Sequence, residues 1–159
     1  RNNVERFTMQ VRKASREDYL ALAALDREVW LPYPNGVHLP DGEHTWRHWI
    51  EDAIVFALYD AETLAGGALA FPRLDGAFWL HKIFVDPRDR KRGGGRLLMQ
   101  AVLAEIDRRQ ADCYLTVNPA NEHAVALYRS FGFTADTIIE GYYRKDEARF
   151  EMRRPKAEK

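Results

Sequence analysis

Residues 90 to 96 read Arg90-Lys91-Arg92-Gly93-Gly94-Gly95-Arg96, a spacing that suits one kind of chemistry. The apolar run Ile83-Phe84-Val85 stops at Pro87, and an amphipathic stretch opens at Leu97-Leu98 beyond the glycines. The turn therefore joins a strand to a helix. The first N–H groups of a helix lack intrahelical partners and lie at the positive end of its dipole. Three glycines leave those groups bare, and Arg90, Arg92 and Arg96 surround them with positive charge. Such a place binds phosphate or pyrophosphate. It is not a Walker loop, because no Gly-Lys-Ser/Thr follows, and it lacks the Gly-x-Gly-x-x-Gly of a dinucleotide fingerprint. A flexible basic linker is the competing reading; the strand before the turn and the long helix after it count against that.

The background to this turn is neutral. Lys+Arg and Asp+Glu both number 24, so net charge argues for neither nucleic-acid nor membrane binding, and the basic cluster favours a discrete anionic ligand. At 159 residues, with 46% apolar and 30% charged positions, the chain is one domain of ordinary globular composition. Cys113 is the only cysteine, which excludes a disulfide framework and points to the cytoplasm. It sits in a strand-like run and reads as a small structural residue rather than a nucleophile. No apolar stretch is long enough to span a membrane, and nothing resembles a signal peptide.

The elements that must position the turn follow from periodicity. Met9 to Arg12 alternates as a first strand. Ser15 and Asp18 mark a helix start, with Tyr19, Leu22, Leu25 and Val29 at helical spacing. Residues 31–42 are rich in Pro, Gly and Asp and read as loop, before a short helix over 43–50 carrying Trp46, Trp49 and Ile50. Runs at 54–59, 64–71 and 77–85, split by turns, predict a three-strand antiparallel meander. The helix after the glycines extends to about Arg109 on a stripe of Leu98, Ala101, Val102 and Ile106. A strand over 112–117 completes a crossover and should be parallel to its partner. Asn121 caps a shorter helix with the stripe Ala124, Leu127, Tyr128 and Phe131, ended by Gly132. Residues 134–143 and 148–153 form a closing hairpin. A single domain over 9–155 is expected, with frayed ends at 1–8 and 156–159.

Downstream of the turn runs Leu115-Thr116-Val117-Asn118-Pro119-Ala120-Asn121, then Ala124, Leu127-Tyr128 and Gly132-Phe133. A strand followed by N-x-x-A-x-x-L-Y-x-x-x-G-F, after V-x-P-x-x-R/Q-x-x-G-x-G/A, resembles the GNAT superfamily of N-acetyltransferases. The two motifs cover about a third of the chain, and the element order agrees over nearly all the rest. The resemblance implies an α/β (α+β) fold: a mixed, mostly antiparallel sheet of about seven strands flanked by about four helices, with one strand pair splayed to admit acetyl-CoA. It implies that Arg90, Lys91, Arg92, Gly93, Gly94 and Gly95 form the pyrophosphate loop, with Arg96 beginning the helix behind it. Ile83, Phe84 and Val85 would pair with the pantetheine arm and frame the acetyl carbonyl. Asn121 would contact pantetheine or nearby backbone, and Tyr128 would lie close to the cofactor sulfur. Two positions depart from the family: Lys91 stands where Gly is usual, and Gly94 where an aliphatic residue is usual. Lys91 either reaches a phosphate or lies in solvent. Gly94 should loosen the helix start by about 1 kcal/mol relative to Ala.

The implied reaction is direct acetyl transfer to a primary amine of a small molecule or peptide. An alternative on the same fold is a non-catalytic acyl-CoA-binding sensor. Tyr128, a phenol with a pKa near 10, would donate to the departing thiolate. His81 stands near the position where several members carry a glutamate base, and an imidazole would suit proton relay. The competing role for His81 is a cross-strand polar residue. Thr116 stands where the ribosomal-protein alanine acetyltransferases carry glutamate, so that base is missing. The acceptor would meet the aromatic stretch Trp30, Tyr33, His38, His44, Trp46, His48 and Trp49, or Tyr142-Tyr143-Arg144. Those histidines lack tight ligand spacing, and no metal is expected. Asp41, Glu43, Glu51 and Asp52 read as solvated charges that could attract a cationic amine. A monomer or homodimer without nucleic-acid or membrane partners is expected.

Overall fold

A computed structural model describes residues 9–31 and 39–158. Tyr33, His38 and the expected frayed end at 1–8 lie outside the described residues. The chain divides into two compact units, one running to Phe71 and resuming over His81–Glu105, the other comprising Pro72–Leu80 and the chain from Ile106 onward. In spatial order the strands are Met9–Lys13, Ile54–Asp60, Thr63–Pro72 and Phe78–Val85, then Cys113–Val117, Arg149–Arg154 and Thr134–Ile139. The expected fold class is the one observed: the described residues form seven strands, four α-helices and a mixed, mostly antiparallel sheet.

In the first unit, β1 (Met9–Lys13) pairs antiparallel with β2 (Ile54–Asp60), and β2 with β3 (Thr63–Pro72). α1 (Tyr19–Trp30) follows a short 3-10 turn capped by Ser15, whose N–H donates to Asp18 at 2.7 Å. The helical spacing of Leu22, Leu25 and Val29 builds one buried face, joined by Trp46 and Ile50 of α2 (Glu43–Asp52) and by Val55, Ala57, Leu69 and Phe84. Trp46 is fully buried, edge-on to Phe84 of β4 (Phe78–Val85). Against this packing, one acidic residue stands out: Asp26, in the middle of the apolar stripe, is also fully buried.

In the second unit, β4 and β5 (Cys113–Val117) pair in parallel at Phe78↔Cys113 and Trp79↔Tyr114, as a crossover through α3 (Gly94–Arg108) requires. β5 pairs antiparallel with β7 (Arg149–Arg154), and β7 with β6 (Thr134–Ile139). β6 stops at Ile139, four residues short of the expected strand, because Glu140 onward folds into a turn closed by Tyr142 N–H donating to the Glu147 carbonyl. α4 (Glu122–Ser130) buries Val125, while Ala124, Leu127, Tyr128 and Phe131 are half-buried. The buried line of the helix thus passes beside the expected stripe. Arg154 gathers three segments, donating to Asp107 at 2.6 and 3.0 Å and to the Phe131 carbonyl at 3.0 Å. Lys156 N–H donates to Asp112 at 2.8 Å, which ties down a residue expected to fray.

Candidate functional site

His81 to Val85 of β4 and the turn after them form one continuous stretch of the first unit. From His81 to Val85 burial alternates: Lys82 and Phe84 are buried, Ile83 and Val85 half-buried, and His81 exposed. Asp86 ends the strand and sets the exit angle. Its N–H donates to the Ala65 carbonyl at 2.7 Å, and its carboxylate accepts from Arg88 N and Nε at 2.9 and 3.0 Å. Hydrogen bonds from Arg88 hold the Asp86 carboxyl below the usual carboxylate range in spite of burial.

Beyond it, Lys91 and Gly93 both have left-handed backbones, with φ of 64° and 82°. Glycine accepts this freely, whereas Lys91 carries the Cβ penalty. Arg90 through Gly93 are exposed. Leu97 N–H makes a first-turn α3 bond, to Gly93 O at 3.1 Å, and the N–H groups of Gly94 and Gly95 stand in that turn. The Arg92 guanidinium donates to Asp60 at 2.7 Å and Asp89 at 3.0 Å, which ties the turn to the end of β2. Gly94 corrects an expectation. It is buried, and an added Cβ would lie 2.5 Å from Leu58 Cδ2, so the glycine lets α3 pack closely on β2 rather than loosening its start.

The His81 ring is edge-on to Trp49 and Phe71, with centroids 5.4 and 5.5 Å away. Its Nε2 lies 3.1 Å from Asp41 Oδ2. Asp41 was expected to be merely solvated; instead it is half-buried and also paired with Lys82 at 2.6 Å. Burial alone would raise its carboxyl, but hydrogen bonds from His81 and Lys82 outweigh that and hold it below the usual range. Glu51, by contrast, lies in an exposed bridge with Arg16 and Arg47.

The second unit carries Asn121 and Tyr128, both on α4. Asn121 Oδ1 caps the helix by accepting from Ala124 N–H at 3.1 Å. The Tyr128 ring stands edge-on to Phe133 at 6.1 Å. Burial pushes its phenol above the ordinary value, so it stays protonated at neutral pH. Thr116 and Tyr143 share a hydroxyl hydrogen bond of 3.0 Å, with Tyr142 packed against Tyr143. Cys113 is fully buried, as a structural residue should be. A residue with no sequence signal is Arg73, which reads as part of a turn. Its guanidinium lies over Tyr114 at 4.1 Å and Trp79 at 4.9 Å, and among the described residues its buried Nη1 has no hydrogen-bond partner.

Residues 22–133 match the acetyltransferase (GNAT) family. This chain belongs to the GNAT family. It is 36% identical over 95 residues to the [ribosomal protein bS18]-alanine N-acetyltransferase of Escherichia coli K12, a match over 59% of this chain and 64% of that protein. The matched part thus spans less than two thirds of that relative's length. The crystal structure of the ribosomal-protein-S18-alanine N-acetyltransferase from Escherichia coli superposes with a TM-score of 0.79 at 26% identity, over 95% of this chain and 96% of that one. Arabidopsis thaliana Naa50, solved with the bisubstrate analogue CoA-Ac-MVNAL, superposes with a TM-score of 0.69 at 20% identity over 92% and 97% of the two chains, a likeness of fold alone.

Proposed function

We propose that this chain transfers the acetyl group of acetyl-CoA to a primary amine of a small molecule or peptide. The start of α3 carries the proposal: the first-turn N–H groups of Gly94 and Gly95, at the positive end of the helix dipole and with Arg90 and Lys91 exposed beside them, fit a pyrophosphate. Within the first unit, Arg90 to Arg96 would hold the diphosphate and Ile83 to Val85 the pantetheine. Acetyl-CoA supplies the activated acetyl group as a thioester.

The chain's own residues then have two tasks. An amine must lose a proton, and a thiolate must gain one. A lysine-type amine, with a pKa of about 10.4, is about 3.4 units from neutral at pH 7, a deficit of about 4.6 kcal/mol. An α-amino group, at about 7.7–8.0, loses only about 1 kcal/mol. With threonine at position 116, His81 takes the amine proton, directly or through water. The Tyr128 hydroxyl, kept protonated by burial, supplies the proton to sulfur.

Acetylation of a panel of amino acids, polyamines and peptides, read by mass detection together with thiol release, tests this. Turnover with at least one class is expected. Binding of acetyl-CoA without turnover across the panel would assign the chain as a sensor instead. Failure to bind CoA at all would remove the proposal.

A further inference from the structure

A buried carboxylate is costly unless every lone pair is used. Asp26 is fully buried on the apolar face of α1, and it uses them all. It accepts from Trp30 Nε1 at 2.7 Å, Trp46 Nε1 at 3.1 Å, Asp41 N at 2.9 Å and Lys82 Nζ at 2.6 and 2.8 Å. Lys82, on β4, is itself buried, and its ammonium has three donors to place. Besides Asp26 it reaches Asp41 Oδ2 at 2.6 Å and the Leu39 carbonyl at 3.5 Å. Asp41 is therefore anchored twice, by its backbone N–H on Asp26 and by its carboxylate on Lys82. The same Oδ2 lies 3.1 Å from His81 Nε2.

The far side of the imidazole is equally determined. Trp49 and Phe71 lie parallel at 6.2 Å, and the His81 ring is tilted against both. Two aromatic faces and one carboxylate thus fix its place. An ionised carboxylate has no hydrogen to give. Hence Nε2 must be the donor to Asp41, and in the neutral ring Nδ1 is left with the lone pair.

We infer that Asp41 is the positioning residue for His81: anchored by Lys82 and Asp26, it holds the imidazole as the Nε2–H tautomer, so that Nδ1 is the atom that takes the acceptor's proton. This rests on the reading of His81 as the base. It extends that reading to the nitrogen used and to the three residues that hold the ring from behind: Asp41, Lys82 and Asp26. The proton passes from the amine nitrogen to Nδ1 as the N–C bond to the acetyl carbon forms; the thioester C–S bond breaks in turn, and the thiolate leaves with the proton assigned above to the Tyr128 hydroxyl. The ring then carries both hydrogens and a positive charge facing Asp41. A network with a structural role alone would select the same tautomer, but breaking it would leave kcat unchanged.

The test is nitrogen-15 NMR of labelled histidine at a pH where the imidazole is neutral. The His81 signals are assigned as those missing in His81→Asn, and kcat is measured in parallel. Wild type should show hydrogen on Nε2, and so should Asp41→Asn, whose amide oxygen still accepts at that position. Asp41→Ala should populate both tautomers and lower kcat by about 10- to 100-fold, the cost of a misplaced reacting group, with KM for acetyl-CoA within about 2-fold. In a His81→Asn background, Asp41→Ala should cost nothing further. Hydrogen on Nδ1 in the wild-type protein overturns the inference without need of any variant. So does an Asp41→Ala effect that persists undiminished without His81. Unchanged kcat in His81→Asn would instead remove the base itself, whatever the tautomer.

Discussion

Tyr128 and Asp18 show how differently two polar side chains respond to burial. Burial raises the Tyr128 phenol, so its proton is retained throughout the working range. Tyr128→Phe should lower kcat by about 10²-fold or more, the usual worth of a general acid. The loss should be equal at every pH below about 10, and the ring contact with Phe133 should keep the melting temperature near that of wild type. Full turnover of that variant would end the acid role. Asp18 is also pushed up by burial, but its hydrogen bonds from Ser15 N–H, Tyr59 and Arg12 win, and its carboxyl lies below the usual carboxylate range. A carboxyl depressed in the folded state stabilises above its unfolded value, and loses that contribution as pH falls through the folded one. Asp18→Asn should thus cost about 1–3 kcal/mol at pH 7. The gap to wild type should close as urea titrations are taken down toward pH 3 and below. Tyr128 was legible from its spacing after Asn121. Asp41 was not, because its partners lie 15, 40 and 41 positions away, and nothing local distinguishes a tethered carboxylate from a solvated one.

The glycine turn gives the corresponding lesson for elements. The strand, turn and helix were all legible, since apolar runs, a proline and a glycine cluster act locally. The role of Gly94 was not, because it depends on Leu58, which lies far off in the sequence. Helix propensity says Gly94→Ala should stabilise by about 1 kcal/mol. The Cβ only 2.5 Å from a buried leucine methyl says the opposite. Overpacking of this kind costs about 1–3 kcal/mol, and urea denaturation of the variant should show a loss of that size. A gain in stability would mean that Leu58 yields freely. The end of β6 was missed for a similar reason: the apolar and aromatic run through Tyr143 suits a strand, yet the Tyr142–Glu147 turn closes the chain sooner.

At the scale of the whole molecule, binding and stability are linked. A ligand at 100 times its dissociation constant stabilises by about 2.7 kcal/mol, worth about 5–11 °C in a chain of this size. CoA should produce such a shift, and substitution of both Gly93 and Gly95 by bulkier residues should abolish it at equal ligand. A shift unchanged by those substitutions would place the diphosphate elsewhere.

Cys113 offers a practical return on its burial. The chain has one thiol, fully enclosed, and burial pushes its pKa up to about 12. Only thiolate reacts with disulfide reagents, so the folded protein should be silent in a colorimetric assay of released CoA. The same silence makes Cys113 a built-in clock. Any slow absorbance rise without substrate would count molecules that have opened, and its rate across urea would report how often the sheet comes apart.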